Sequence, residues 1–260
     1  MFSIDSYAYS NKLRKFHPAE KCAFAMITLI ICLAAASLTT SLAVFALMSV
    51  AVVGYAGIPG RVFAGFMSVP VSFLLVGVLT IAVTVTKEPV AFLFGLSVQG
   101  INIGVTSVGS AAAVSLLFKS LGAVSCLYFL SLTTPMIDIV YVLRKMKVPA
   151  LFVELMTLIY RFIFVLAETA EKIYTSQSSR LGYGGVKVAF SSLGGLASTL
   201  FIKSFHRSQL LFQSLSSRCY TGGLNVLEAE YTYSVRNLFL IAVLDLALIA
   251  LSFYSGGGQL

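Results

Sequence analysis

Ser178-Ser179-Arg180-Leu181-Gly182-Tyr183 closes one long helix-forming stretch. Ser216-Ser217-Arg218-Cys219-Tyr220-Thr221-Gly222-Gly223 closes the next. The two Ser-Ser-Arg endings stand 38 residues apart in a chain that is otherwise poor in charge. The first stretch runs from Pro149 to Arg180 and the second from about Val188 to Arg218. In the first, Leu151, Leu155, Leu158, Phe162, Val165 and Ile173 recur at steps of three and four, with one gap, as one face of a helix requires. Glu154, Arg161, Glu168 and Thr175 follow one another at steps of seven and share the opposite face with Glu171, Lys172 and Ser179. In the second, Thr199, Lys203, Arg207, Ser214 and Arg218 fall on one face, and Phe201, Phe205 and Phe212 on another. A charged stripe of this length is expensive inside hydrocarbon. Both stretches therefore read as amphipathic arms at a membrane surface or in a cytoplasmic layer.

Each arm is expected to stop at a glycine-containing turn, where the left-handed conformation is easiest to accommodate. An Arg in the last turn complements the negative end of the helix dipole. Arg180 and Arg218 would do no more than that if they were unrelated. Their duplication points instead to two arms doing one job, each offering a rigid guanidinium fork to carboxylates or carbonyls of a partner. The small Ser179 and Ser217 before them leave room for another helix to approach.

The rest of the chain is membrane-like. Of 260 residues, 58% are hydrophobic and only 11% charged, and the mean hydropathy is +0.93. Uncharged apolar runs at Cys22–Leu38, Leu42–Gly57 and within Val62–Thr86 read as three spans. The first reads as a span and not as a cleaved leader. Pro89–Ser110, apolar but rich in Gly, Ser and Asn, reads as an outer loop or short re-entrant piece. A fourth span is expected from about Ile103 to Leu132 and the last from about Leu238 to Tyr254.

The expected fold is an all-α polytopic membrane protein with about five transmembrane helices and a cytoplasmic region of two long amphipathic helices. Its parts would be residues 1–132 (four spans), 133–235 (arms) and 236–260 (last span and tail). With the N-terminus inside, 16 of the 18 Lys and Arg fall on the cytoplasmic side, so the net charge of +8 reflects the positive-inside bias and not a nucleic-acid partner. Lys119 lies within the fourth span, where a charge costs roughly 2.5–3.5 kcal/mol. Asp245 in the last span stands at a similar depth, so a Lys119–Asp245 contact is expected.

Enzyme chemistry finds no support. There is no GxxxxGK[ST] phosphate loop, no HExxH and no GxSxG elbow. His17 and His206 stand far apart, and Cys22, Cys32, Cys126 and Cys219 lack metal spacing, so no cofactor or metal site is expected.

Taken in order, the residues resemble the transmembrane T component of energy-coupling factor transporters, and within it the CbiQ-like, cobalt branch. The likeness rests on His17-Pro18-Ala19-Glu20-Lys21 (the family's Pro-x-x-Lys before the first span), Thr133-Thr134-Pro135, Val148-Pro149, Tyr160-Arg161-Phe162 with Glu168, and the two arm endings. The resemblance implies that the family's Ala-Arg-Gly motifs correspond to Ser179-Arg180-Leu181 and Ser217-Arg218-Cys219. Ser replaces Ala here, and the glycines stand later, at Gly182 and Gly222. The implied partners are two ATP-binding cassette ATPase subunits, a substrate-binding membrane subunit of cobalt type, and the bilayer of a bacterial or archaeal cell membrane. The implied role is mechanical coupling for cobalt uptake, with ATP hydrolysed by the partners. A nickel or vitamin transporter of the same kind is an alternative. So are a self-contained secondary transporter, for which inverted Gly/Pro-broken helices at matched positions are missing, a membrane enzyme and a structural scaffold.

Overall fold

The structure is a computed structural model that describes residues 3–35, 37–86, 92–98, 101–220, 231 and 234–256. After a short amphipathic helix, α1 (Ser3–Ser10), the first long helix, α2, runs Pro18–Ala34. Pro18 suits its first turn because an N–H there would have no helical partner. His17 caps it, its Nδ1 accepting from the amide of Ala19 at 3.1 Å. Helix α3 (Leu38–Val50) runs on into a π-helical turn, Ala51–Tyr55. Gly57 then adopts φ +74°, and α4 follows at Gly60–Ala82. Helix α5 (Ser107–Thr133) is the central element; α1, α2, α3 and α4 all pack on it, and α9 (Val235–Gly256) closes against α2 and α3.

Two details show how closely these helices meet. A Cβ at Gly122 of α5 would stand 2.8 Å from Cys32 Sγ and 3.1 Å from the Ser41 carbonyl, so only glycine lets α2, α3 and α5 approach this far. Pro70 inside α4 has no N–H for the carbonyl of Phe66, one turn earlier. The hydroxyl of Tyr128 on α5 donates to that carbonyl instead, at 3.0 Å.

Polarity is distributed as a bilayer demands. Val69, Phe73, Val76 and Leu79 on α4 are exposed, as are Met26, Ile30 and Leu33 on α2, while Thr28, Thr40, Ser41, Ser125 and Asp245 are buried. Apolar side chains that face outward from a polar-containing interior are expensive in water and favourable in hydrocarbon.

Six described helical segments are long and apolar enough to cross a membrane: Leu38–Tyr55, Gly60–Ile81, Gly109–Thr133, Ala150–Ser178, Val186–Ser216 and Val235–Ser255. Four coincide with expected spans. The set omits α2, which has 17 residues, and adds both arm helices. Both arm helices meet the length and composition of a span, although the helix Ala150–Ser178 carries Glu154, Arg161, Glu168, Glu171 and Lys172.

The stretch read as an outer loop or short re-entrant piece holds three short strands in an otherwise helical chain. Val83–Thr86, Phe92–Val98 and Ile101–Thr106 form an antiparallel sheet in the order β1-β3-β2, with Val83 opposite Val105 and Leu96 opposite Ile103. The third span therefore ends at Ala82, and the fourth begins at Ser107, not at Ile103. The cause is legible: Val-Thr-Val-Thr and Ile-Asn-Ile-Gly-Val-Thr are β-branched residues at a period of two.

The chain divides into two compact units, Phe2–Pro135 with Glu230–Leu260, and Met136–Ala229. The second holds α6 (Met136–Lys145), α7 (Ala150–Ser178) and α8 (Val186–Ser216).

Candidate functional site

Helices α7 and α8 form a hairpin tied at both ends. At the turn, the Gln177 side-chain amide donates to the Ser192 carbonyl (3.0 Å) and accepts from the Tyr183 hydroxyl (2.8 Å), while Ser192 Oγ donates to the Gly182 carbonyl (2.7 Å). The Tyr174 and Tyr183 rings pack at 4.7 Å between centroids. At the open end, Tyr220 Oη donates to Glu154 Oε2 at 2.7 Å, and this carboxylate holds the Tyr220 phenol above its usual titration range. Glu154 is buried, not on a solvated stripe as its spacing had implied. Glu168 does pair with Lys172, at 2.6 Å.

The two Ser-Ser-Arg endings fold into the same cap. In α7, Ser179 N donates to Thr175 O, Leu181 N to Ser178 O and Gly182 N to Gln177 O; in α8, Ser217 N donates to Gln213 O, Cys219 N to Ser216 O and Tyr220 N to Leu215 O. Each bond of one set has its counterpart 38 positions along in the other. The serine hydroxyls match too, Ser179 Oγ to Thr175 O and Ser217 Oγ to Gln213 O, both at 2.9 Å. With the hydroxyls turned back onto their own helices, the surface beside each Arg stays small. Arg180 and Arg218 are exposed, and neither side chain has a hydrogen bond or ion pair among the described residues.

The left-handed position is a correction. Leu181 (φ +59°) and Cys219 (φ +55°) adopt it, not Gly182, and Gly222 lies outside the described residues. The turn is thus retained with side chains where the resemblance places the family's glycine. Such a conformation costs a non-glycine residue about 1 kcal/mol. Leu181→Gly or Cys219→Gly should therefore raise stability by about 0.5–1 kcal/mol, read as an upward shift of the unfolding midpoint in detergent. An unchanged or lower midpoint would count against the cap.

Gly182 is required for another reason. A Cβ there would lie 2.8 Å from the Gln177 carbonyl oxygen and 2.8 Å from Ser192 Oγ. Gly182→Ala should force the turn open at a cost of about 1–3 kcal/mol, opposite in sign to its neighbour. Midpoints of equal stability for Gly182→Ala and the parent would refute this.

A third cap of the same form ends α6, where Lys147 (φ +60°) donates to Arg144 O and Val148 N to Leu143 O. These three are the left-handed non-glycine residues of the described chain, and all close helices of the arm-bearing unit. Reading the sequence for duplicated serines missed the third, because only its basic character repeats.

The other unit contains a buried polar joint that spacing could not show. Lys21 Nζ donates to the Thr133 carbonyl at 3.0 Å, so the Pro-x-x-Lys stretch and the Thr133-Thr134-Pro135 break meet directly. Asn11 Nδ2 reaches the Leu132 and Thr133 carbonyls, each at 3.3 Å. Glu20, next to Lys21, accepts from the amide of Ser234 at 3.0 Å and from Asn237 at 3.4 Å, and the His17 and Tyr231 rings meet edge to face. The first turn of α2 therefore grips both places where the chain leaves this unit and returns to it.

The expected Lys119–Asp245 contact is absent among the described residues. Buried Asp245 accepts from Thr28 Oγ1 at 3.5 Å, and half-buried Lys119 offers its backbone carbonyl to Cys32 Sγ at 3.6 Å. Thr28 escaped notice because a threonine in an apolar run carries no sequence signal. Among the described residues no group of three or more His, Cys, Asp or Glu could hold a metal ion.

The sequence is similar to those of known proteins. The family described as CbiQ, cobalt transport protein, matches residues 9–228. An uncharacterized protein of Methanocaldococcus jannaschii is 36% identical over 96% of this chain and 92% of its own length. The cobalt transport protein CbiQ of Rhodobacter capsulatus is 29% identical over 95% of this chain and 96% of its own. The energy-coupling factor transporter transmembrane protein EcfT of Exiguobacterium sibiricum is 31% identical over 73% of this chain and 74% of its own.

Proposed function

Since the chain belongs to the CbiQ family of transmembrane T components of energy-coupling factor transporters, we propose that it couples ATPase subunits to a substrate-binding membrane subunit for cobalt uptake. Arg180 and Arg218 dock into two ATP-binding cassette subunits, and the hairpin that carries them passes their motion to the spans. The segment 133–235 is the cytoplasmic coupling region on this reading, and the N-terminus is cytoplasmic. The chain hydrolyses nothing itself.

One observation carries the reading: two helix ends with the same cap, bond for bond, each leaving an Arg exposed and unengaged within the described chain. A cap that fixes the last turn also fixes the root of the Arg side chain, so docking has only the side chain's own rotamers left to order. Phe201, Phe205 and Phe212 on α8 are exposed, 56–71% of each, which suits an arm lying against lipid or a membrane-embedded partner.

The test is affinity purification of this chain co-expressed with candidate ATPase and substrate-binding subunits from the same organism, followed by reconstitution and ATP-driven cobalt uptake, with nickel as competitor. A co-purifying ATPase and uptake that needs all subunits are expected. Uptake by this chain alone would favour the secondary transporter, and nickel uptake without cobalt uptake would move the substrate.

A further inference from the structure

Between the two arms lies a cleft of about 700 Å³ whose lining does not fit a simple helical hairpin. Helix α7 contributes Leu158, Arg161, Phe162, Val165, Thr169 and Lys172, among others; helix α8 contributes Lys203, His206, Arg207, Leu210 and Leu211. Both sets follow steps of three and four, so each is the inner face of its helix. Four permanent cations, all exposed, thus line a shared open space; Glu168 pairs with Lys172 and also feels the charge of Arg207, so one acid stands against four cations. On α8 the usual polarity is reversed: Lys203 and Arg207 line the cleft, while Phe201 and Phe205 face away from it and are exposed. Cations gathered on an inner face repel one another unless something negative lies between them.

The ties at the two ends of the hairpin set its register. With Gln177 beside Ser192 and Glu154 beside Tyr220, the helices run antiparallel, so Thr169 stands opposite Lys203 and Phe162 opposite Leu210. The cleft is therefore graded along its length. Lys172 and Lys203 occupy one end and Arg207 with His206 the middle. Leu158, Phe162, Leu210 and Leu211 occupy the other end, with Arg161 among them.

We infer that this cleft binds one anionic phospholipid, its phosphate held by Lys203 and Arg207 and an acyl chain laid along Phe162 and Leu210. A free phosphate would satisfy the cations and leave the apolar end in water. An uncharged amphiphile would cover the apolar end and leave the cations facing one another. Only a ligand with a negative head and an apolar tail matches both ends, and a membrane chain meets such molecules at high local concentration. The site does not depend on the transport reading.

The test uses the purified full chain with phosphatidylglycerol or phosphatidylcholine of matched acyl chains, followed by native mass spectrometry. Phosphatidylglycerol should be retained in preference to phosphatidylcholine, one molecule per chain. Lys203→Gln with Arg207→Gln should weaken that retention roughly ten- to thirtyfold. Lys187→Gln, an exposed cation on the same helix outside the cleft, should leave it unchanged. Inorganic phosphate at millimolar concentration should not displace the lipid. Equal retention of the two lipids, or an unaltered double variant, would overturn the proposal. Displacement by phosphate alone would overturn it in favour of a free-anion site, and displacement by an acidic peptide in favour of a protein partner.

Discussion

Reversing the charge at both arm ends, Arg180→Glu with Arg218→Glu, should abolish co-purification of the ATPases while the chain remains folded. The side chains are exposed, and the caps beneath them are built from main-chain bonds and from hydroxyls that turn back to Thr175 and Gln213. A surface charge change away from such bonds moves stability by about 0.5 kcal/mol at most. An Arg seated in a partner's pocket is another matter: truncating an anchor of this type costs at least about 2 kcal/mol, and reversal adds repulsion. Each arm should thus lose about a hundredfold in affinity. The single variants are the sharper measurement, because each should shed one ATPase and keep the other. Two ATPases retained by the double variant, with wild-type turnover, would remove the arms from the coupling mechanism.

Lys21→Ala should cost the membrane unit about 2–4 kcal/mol. Lys21 is 5% exposed, and its ammonium donates to the Thr133 carbonyl at the end of α5, where the helix has run out of its own donors. Truncation leaves that carbonyl only the longer bond from Asn11 Nδ2, at 3.3 Å, and empties the space the side chain filled. Denaturant unfolding in detergent should show a lower midpoint with an unchanged slope. Lys187→Ala, an exposed lysine at the start of α8, should leave the midpoint within error. If the two alanine variants matched, Lys21 would be a bystander to the joint.

The residues that reveal themselves in sequence are those whose role is local. The arms show because apolar and charged residues keep a helical period over some thirty positions. The duplicated endings show because a cap is written in five or six adjacent residues. The small sheet was equally local, yet its alternation at 83–86 and 101–106 was read through the apolar composition of its surroundings. What stayed hidden depends on distance along the chain. Lys21 meets Thr133, Glu20 meets Ser234, and Asp245 meets Thr28, each across more than a hundred residues. No spacing rule selects Thr28 over Lys119 as the neighbour of Asp245; only the crossing of α2 and α9 does. The left-handed residues were misplaced for a related reason. Glycine is the commonest occupant of that position, but hydrogen bonds to Gln177 and Leu215 carry Leu181 and Cys219 into it.

The grip of α2 on both crossings has a consequence for the order of synthesis. Glu20 leaves the ribosome 214 residues before Ser234, which supplies its partner amide, and Thr28 precedes Asp245 by 217. Throughout translation of the arms, the Glu20 carboxylate lacks its partner amide, and the Thr28 hydroxyl has only the Phe24 carbonyl of its own helix to bond. Insertion of α9 is then the event that finishes the membrane unit, however early its other helices assemble. A nascent chain stalled before Val235 carries complete arms on an unfinished base, with the faces of α2 and α3 that α9 covers still bare.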